Sequence, residues 1–353
     1  MNSRVMLLLM LIVSFSGFSQ DMVSILPPDH QNIQYYGRFD QSNPKLPRFW
    51  AAGSMIVTRF SGGDCEVFLN DQVYEGASHN YIEVKVDNID PVRIQLRAKT
   101  NRIQIAKDLP GGDHTVTITK NTDASVGYLE LRGFKCNSLL PPPPVPSRKI
   151  EFIGDDIMAG VGGDSTYAPC DSENWYEQST AYHGYAVAAA RQLQAQYYMS
   201  AVNGIGLRKG GGEANVAMPL LYDKIDQNKD KIEWDFRKFQ PDVVVIGLGA
   251  NDALMDSAGF ANAYISFLKT VRQKNPSARI VCVAVKTGRQ GSGKLTTMIP
   301  AMVAAAKNIV DARIDALVIN GMFNKGCNGY PHITEQLQIS MQLNDYLKKL
   351  MAW

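Results

Sequence analysis

A run of prolines near the middle of the chain divides the sequence into two parts with different patterns. The segment Leu139-Leu140-Pro141-Pro142-Pro143-Pro144-Val145-Pro146 holds five prolines within six positions. Proline fixes φ and has no amide hydrogen, so such a run enters neither a helix interior nor a central strand and favours an extended connector. We therefore predict a linker at residues 141–147, with one domain at 21–140 and another at 148–353.

The part before the linker has the pattern of half-buried strands. Apolar and polar residues alternate with period two in segments 81–86, 92–97 and 114–120, and a Pro-Gly-Gly-Asp turn precedes the last of these. This alternation is typical of strands that bury one face only. Several short strands separated by polar turns favour a β-sandwich.

The part after the linker alternates between strand and helix patterns. Strands are predicted at 149–153, 197–202, 242–248, 279–285 and 316–320, and helices at 184–194, 258–273, 296–310 and 334–351. Segment 242–248 is apolar at nearly every position, as expected of a strand that helices cover on both faces. The order predicts a three-layer α/β fold with a parallel sheet.

Composition and charge give no support for binding to nucleic acid or to a membrane surface. The net charge is +2, with 45% apolar and 20% charged residues, which is typical of a globular chain. No basic run is interleaved with aromatic residues, so the sequence does not indicate nucleic-acid binding. Nothing in the sequence indicates the oligomeric state.

The first 20 residues have the pattern of a secretory signal peptide. Arg4 precedes an apolar block at residues 5–15, which is too short to span a bilayer as a helix, and small residues follow at 17–19. No later apolar stretch is long enough to span a membrane. We therefore expect a periplasmic or secreted protein.

The chain has five cysteines, so at least one thiol is unpaired in any intramolecular arrangement of disulfides. Cys282 lies in a predicted buried strand and is expected to be a core thiol. Cys170 and Cys327 lie in loops that should flank the predicted site, and a disulfide between them is a reasonable expectation in an oxidising compartment. The cysteine spacings do not resemble a zinc site.

Polar residues follow successive strands of the predicted parallel sheet. Asp155 and Asp156 follow the first strand, Gly204 follows the second, and Asn251 follows the third. Sites form beyond the carboxyl ends of such strands. The backbone amides of Asp156 and Gly204 and the side-chain amide of Asn251 are candidates for an oxyanion hole, a set of donors that stabilises a developing negative charge. Taken one at a time, these residues fit turn formers or helix caps better than a functional site. Taken together, at successive strand ends, they favour the functional interpretation.

Longer segments carry a family resemblance that extends from about Tyr36 to the end of the chain. They include Tyr36-Gly37-Arg38, Arg59-Phe60-Ser61-Gly62, Ile150-Glu151-Phe152-Ile153-Gly154-Asp155, Gly204-Ile205-Gly206-Leu207 and Gln240-Pro241-Asp242-Val243-Val244-Val245. The second part resembles SGNH (GDSL-type) hydrolases, and the whole chain resembles carbohydrate esterase family 2. The resemblance implies a jelly-roll domain joined to an SGNH domain, removal of acetyl groups from polysaccharides, a polysaccharide or oligosaccharide ligand and no cofactor.

The chain departs from this family at the reacting groups. The family has serine where this chain has Asp156, and often Asp-x-His-Pro where it has Asn328-Gly329-Tyr330-Pro331. The resemblance thus places Asp156 at the nucleophile position, Tyr330 at the histidine position and Asn328 at the acid position. The oxyanion donors Gly204 and Asn251 remain.

Three functions are consistent with these departures. The first is an esterase-like protein of polysaccharide breakdown with impaired or absent deacetylase activity, since acyl transfer needs a nucleophile beside a base. The second is an active hydrolase that uses Asp156 with His332 as a substitute base, although His332 also fits a surface residue at a helix start. The third is a non-catalytic carbohydrate-binding module.

Further residues are candidates for substrate contacts. Trp175 and Tyr176 lie in the long loop at 160–183, where aromatic rings either stack on a sugar or hold the loop in place. Lys286 and Arg289 follow the fourth strand and could contact an acidic sugar, or they are simply solvated. No metal site is predicted.

Overall fold

The computed structural model describes residues 25–208, 216–227, 232–252 and 256–353. The predicted signal peptide at residues 1–20 lies outside these ranges. Among the described helices, none combines the length and the apolar character that crossing a bilayer requires.

An antiparallel sheet occupies the part of the chain before the proline run. Its strands are β1 (Ile33–Tyr36), β2 (Arg48–Phe49), β3 (Met55–Asp71), β4 (Tyr81–Val86), β5 (Val92–Gln95), β6 (Thr100–Ala106), β7 (Asp113–Lys120) and β8 (Leu129–Leu140). The order β2-β8-β3-β7-β4-β5 forms the main path, and β1 and β6 pair with β3. Alternate residues of these strands, such as Phe60, Val67 and Phe134, are fully buried in a core of their own. The predicted β-rich front domain is confirmed.

Strand β3 is the longest and connects the two halves of this sheet. Its first half, 55–61, pairs with β7, and its second half, 65–70, pairs with β6. On its other edge it pairs with β8, and the register shifts between Ser61 and Cys65. Such an irregularity lets a long strand bend.

The proline-rich segment connects the two regions without regular secondary structure. Strand β8 ends at Leu140, and the next strand begins at Arg148. Gln34 Nε2 donates a hydrogen bond to the carbonyl oxygen of Pro143 (2.9 Å), and Gln196 Nε2 donates one to that of Pro146 (2.6 Å). The connector is thus tied to both regions.

A five-stranded parallel sheet follows, in the order β10-β9-β11-β12-β13. The strands are β9 (Arg148–Gly154), β10 (Ala195–Ala201), β11 (Val243–Gly247), β12 (Arg279–Ala284) and β13 (Ile314–Val318). The helices are α1 (Asp156–Ala159), α2 (Tyr185–Gln192), α3 (Met218–Leu221), α4 (Ser257–Lys274), α5 (Ser292–Ile309) and α6 (Ile333–Met351). Val244 and Ile246 of β11 enter the core on one face, while Val243 and Val245 enter the core on the other. Both faces are covered, which confirms the predicted three-layer α/β fold.

A buried ion pair joins the two regions. The Arg38 guanidinium, from the antiparallel part, lies 2.9 Å from Glu151 Oε1 on β9, and neither side chain is more than 4% exposed. The rings of Tyr222, Trp234 and Phe236 surround the guanidinium at 5.3 to 5.4 Å. A buried charge is tolerated only when it is paired, so this contact ties the antiparallel part to strand β9.

Candidate active site

The turn after β9 places Asp156 at the carboxyl edge of the parallel sheet. Asp155 caps the short helix α1, and its carboxylate accepts a hydrogen bond from the Ile157 amide at 3.1 Å. Gly160 ends the helix in the left-handed region, with φ of 77°. Asp156 is the first residue of this helix, and its side chain is fully buried.

Both carboxylate oxygens of Asp156 have partners. Asn251 Nδ2 donates to Oδ1 at 3.0 Å, and the Tyr330 hydroxyl donates to Oδ2 at 2.5 Å. Arg289 Nε lies 3.6 Å from Oδ2, and the Arg289 guanidinium stands over the Tyr330 ring at 4.6 Å. The Asp156 carboxylate is therefore hydrogen-bonded on both sides and has a cation beside it.

Tyr330 is a hydrogen-bond donor in this site and not a base. Burial raises the pKa of its phenol well above the usual value, and the charge of Asp156 and the hydrogen bond to it raise that pKa further. The phenol thus stays protonated at neutral pH and has no capacity to take a proton from a nucleophile. Burial also raises the pKa of the neighbouring Asp155 carboxyl, and the charge of Asp156 acts in the same direction.

The side-chain amide of Asn251 has no proton to spare for a substrate. Its Nδ2 donates to Asp156 Oδ1 and also to the carbonyl oxygen of Ile205 at 2.9 Å. An amide nitrogen carries two hydrogens, so both are used. Gly204, next to Ile205, is buried in the turn after β10 with φ of 69°. The structure thus brings Asn251 into contact with both the turn after β10 and the Asp156 carboxylate.

His332 and Asn328 take other positions. His332 is the N-cap of α6: its Nδ1 accepts from the Thr334 amide, and its own amide donates to Glu335 Oε2 at 3.0 Å. Asn328 is exposed, with a left-handed φ of 53°. Among the described residues, the side chains that make polar contacts with the Asp156 carboxylate are those of Asn251, Tyr330 and Arg289.

The aromatic pair in the loop at 160–183 has two different environments. Tyr176 is buried and packs with Tyr81 and Val126 of the antiparallel part, so it holds the loop. Trp175 is 40% exposed and meets the Tyr176 ring edge-on at 5.8 Å. Lys286 is exposed after β12. Trp175 and Lys286 are therefore accessible to a ligand.

The expected disulfide between Cys170 and Cys327 is present. It joins the loop at 160–183 to the segment before α6. The Cys327 amide also donates to Gly162 O at 2.9 Å, and the Tyr330 amide donates to Cys327 O at 3.0 Å. A Cβ atom at Gly162 would lie 2.7 Å from the Tyr330 ring, so glycine is needed there for Tyr330 to reach the site. The disulfide thus supports the segment that carries Tyr330.

Sequence reasoning missed three supporting contacts. The sequence suggests a sugar contact or a solvated side chain for Arg289, yet it lies beside Asp156. Asp252 Oδ2 accepts from the Leu207 amide at 2.8 Å and so holds the loop after Gly204. Asp123, from the antiparallel part, accepts from the Asn203 amide at 2.5 Å. These contacts join residues far apart in the chain, and no local pattern signals them.

The described residues form no metal site. Across 25–208, 216–227, 232–252 and 256–353, no group of three or more His, Cys, Asp or Glu side chains is arranged to hold a metal ion.

Two family models match the two parts of the chain. The carbohydrate esterase 2 N-terminal model matches residues 35–144. The GDSL-like lipase/acylhydrolase family model matches residues 152–337, which is more than half of the chain.

Individual relatives agree with these matches. The chain is 33% identical to the cellulase/esterase CelE of Acetivibrio thermocellus over 264 residues, which is 72% of this chain but 31% of that protein. It is 24% identical to an acetylxylan esterase / glucomannan deacetylase of Cellvibrio japonicus over 334 residues, which is 91% of this chain and 90% of that protein. The chain thus spans about a third of CelE and most of the second relative.

A solved structure extends the comparison to three dimensions. A family two carbohydrate esterase from Clostridium thermocellum, in complex with cellohexaose, superposes with a TM-score of 0.79 at 28% identity, covering 91% of this chain and 99% of that one. The chain therefore belongs to the GDSL-like lipase/acylhydrolase family, in the two-part form of the family 2 carbohydrate esterases.

Proposed function

We propose that this protein is an acetylxylan esterase-type protein of polysaccharide breakdown and that its own deacetylase activity is impaired or absent. The observation that carries the proposal is that the Asp156 carboxylate accepts hydrogen bonds from both Asn251 and Tyr330. We also propose that it is periplasmic or secreted, on the basis of the signal-peptide pattern at residues 1–20.

The arrangement opposes acyl transfer at two points. A buried carboxylate that attacked an ester would form an anhydride, which is higher in energy than the acyl ester formed on serine. If water attacked the ester instead, the tetrahedral intermediate would place a second negative charge beside the Asp156 carboxylate, with the Asn251 donor already in use. Removing one oxyanion donor costs about 10² to 10³ in turnover, and losing the serine or histidine of such a site costs on the order of 10⁶.

We propose that this protein binds an oligosaccharide. The Clostridium thermocellum relative holds cellohexaose, and in this chain the exposed ring of Trp175 and the exposed Lys286 offer stacking and polar contacts. Aromatic faces that are exposed beside polar groups suit sugar rings, which have one apolar face.

A turnover measurement tests the proposal that deacetylase activity is impaired or absent. Hydrolysis of p-nitrophenyl acetate and of acetylated xylan is measured for the wild type and for Asp156→Ala. We expect both proteins to stay at the background rate of the substrate alone. Clear turnover by the wild type that disappears in Asp156→Ala would contradict the proposal and favour a carboxylate-based hydrolase.

The binding half is tested separately. We expect cellohexaose to bind the wild type, as measured by calorimetry, and Trp175→Ala to weaken the binding at least tenfold. Leu220→Ala is the matched control, because Leu220 is also an exposed apolar side chain, at 62% exposure. Equal affinity for the wild type and Trp175→Ala would exclude Trp175 as a sugar contact.

A further inference from the structure

Two buried cysteines face each other in the antiparallel sheet, away from the candidate active site. Cys65 of β3 and Cys136 of β8 are directly opposite partners in an antiparallel pair. They are 0% and 5% exposed, and they are not bonded. Residues that face each other in this way have Cα atoms about 4.5 to 5.5 Å apart, which lies within the range of about 4.4 to 6.8 Å that a disulfide spans.

The strand pairing beside these cysteines is interrupted. Ser61 faces Ser138 and Cys65 faces Cys136, so residues 62–64 of β3 lie opposite the single residue Asn137 of β8. Gly62 has φ of 90°, and a Cβ atom there would lie 2.3 Å from Asn137 Nδ2. The regular ladder of hydrogen bonds therefore stops just before the cysteine pair, where a covalent bond would fix the register of the two strands.

We propose that Cys65 and Cys136 are a second disulfide site, which a thiol–disulfide oxidant closes between β3 and β8. The chain already contains the disulfide between Cys170 and Cys327. A protein that carries one structural disulfide forms in an environment that supplies such an oxidant. The same disulfide donor serves both pairs.

The reaction proceeds by exchange with the donor. The Cys136 thiolate attacks one sulfur of the donor disulfide, a mixed disulfide forms, and the other donor sulfur leaves as a thiolate. The Cys65 thiolate then attacks Cys136 Sγ and displaces the second donor sulfur. Cys65 and Cys136 lose two electrons and two protons, and the donor ends as two thiols.

The two thiols differ in access and in pKa, and this difference sets the order of the two exchange steps. Cys136 borders a surface cleft with Arg102 and Lys135, whereas Cys65 is fully enclosed. The hydrogen bond between the thiols lowers the pKa of Cys136 and raises that of Cys65. The donor therefore reaches Cys136 first.

Counting free thiols tests the proposal. The full chain is reduced, unfolded and refolded in a mixture of reduced and oxidised glutathione. It is then quenched in acid, unfolded, labelled with N-ethylmaleimide without reductant and weighed by mass spectrometry. We expect one adduct, on Cys282, and a linked peptide that contains Cys65 and Cys136. Three adducts, with only the bond between Cys170 and Cys327 formed, would overturn the proposal.

Variants make the count specific. Cys282→Ala should carry no adduct, and Cys65→Ser should carry two, on Cys136 and Cys282. The double variant Cys65→Val/Cys136→Val keeps an apolar pair of similar size at these buried positions. We expect its Tm to lie several degrees below that of the oxidised wild type. A Tm equal to that of the oxidised wild type would contradict a bond that fixes the register.

Discussion

The Tyr330 hydroxyl donates a hydrogen bond of 2.5 Å to the Asp156 carboxylate, across 174 positions of the chain. These are the positions at which the family resemblance leads one to expect a histidine and a serine. The two side chains are complementary, because a buried carboxylate needs donors and a buried phenol needs an acceptor. Where the resemblance implies a pair that transfers a proton, this chain has a pair that holds one in place, and Arg289 adds a charge beside it.

Introducing a serine and a histidine at these two positions should produce esterase activity. We expect Asp156→Ser/Tyr330→His to hydrolyse p-nitrophenyl acetate at least ~10² faster than either single variant, because nucleophile and base act as a unit. Removing the carboxylate also frees one hydrogen of Asn251 Nδ2 to donate a hydrogen bond to the oxyanion. The measurement is kcat for the three variants and the wild type. A double variant no faster than the single variants would mean that the donors around position 156 do not form a working oxyanion hole.

Removing the disulfide should loosen the segment that carries Tyr330. Cys170→Ser/Cys327→Ser opens a link across 157 positions, and we expect a loss of about 2 to 4 kcal/mol in the free energy of unfolding. Urea denaturation measures the loss, and limited proteolysis should show new cleavage within residues 160–183. Cys282→Ala, at a buried thiol without a disulfide, should not create this cleavage. An unchanged cleavage pattern in the double variant would show that other contacts hold the loop.

Breaking the buried ion pair between the two regions should be costly. Arg38→Ala leaves the Glu151 carboxylate buried without its cation, and we expect a loss of about 3 to 5 kcal/mol in the free energy of unfolding. Arg237→Ala is the control, because Arg237 pairs with Asp235 at the same 2.9 Å but its side chain is 90% exposed; it should change stability little. Similar effects of the two variants would argue against a special role for the buried pair.

Lys120 should make the protein more stable as the pH rises above neutrality. Its Nζ is fully buried and donates to the carbonyl oxygens of Thr122 and Asp123, and burial lowers its pKa from 10.5 to about 7. Between these two values the unfolded chain binds a proton that the folded chain does not, so the free energy of unfolding rises with pH. From pH 7 to 9 the rise is about 2 kcal/mol.

Chemical denaturation at pH 7, 8 and 9 measures this rise. In Lys120→Met the contribution of Lys120 disappears. The free energy of unfolding of the wild type minus that of the variant should therefore increase with pH. Lys349→Met, at an exposed lysine of α6, should follow the wild type. A constant difference between the wild type and Lys120→Met would mean that Lys120 stays charged in the folded protein up to pH 9.

Local patterns were sufficient for most of the fold. Period-two alternation located β4 and β7, and the apolar run at 242–248 located the central strand β11, because burial on one face or on both dictates residue type at each position. Helix α5 begins at Ser292, four residues before the predicted start, since Gly291 precedes it and Gly293 lies in its first turn, where the pattern reads as a loop.

The aspartate at position 156 and the resemblance around it were also evident in the sequence alone, and so were the strand ends that bring Asp156, Gly204 and Asn251 to one edge. The tertiary structure alone decided what those side chains do. It aimed Tyr330 and Arg289 at the carboxylate, used both hydrogens of Asn251, and placed His332 at a helix cap. Hydrogen bonds and ion pairs depend on distances of a few ångströms between residues far apart in the chain, and only the packed fold sets such distances.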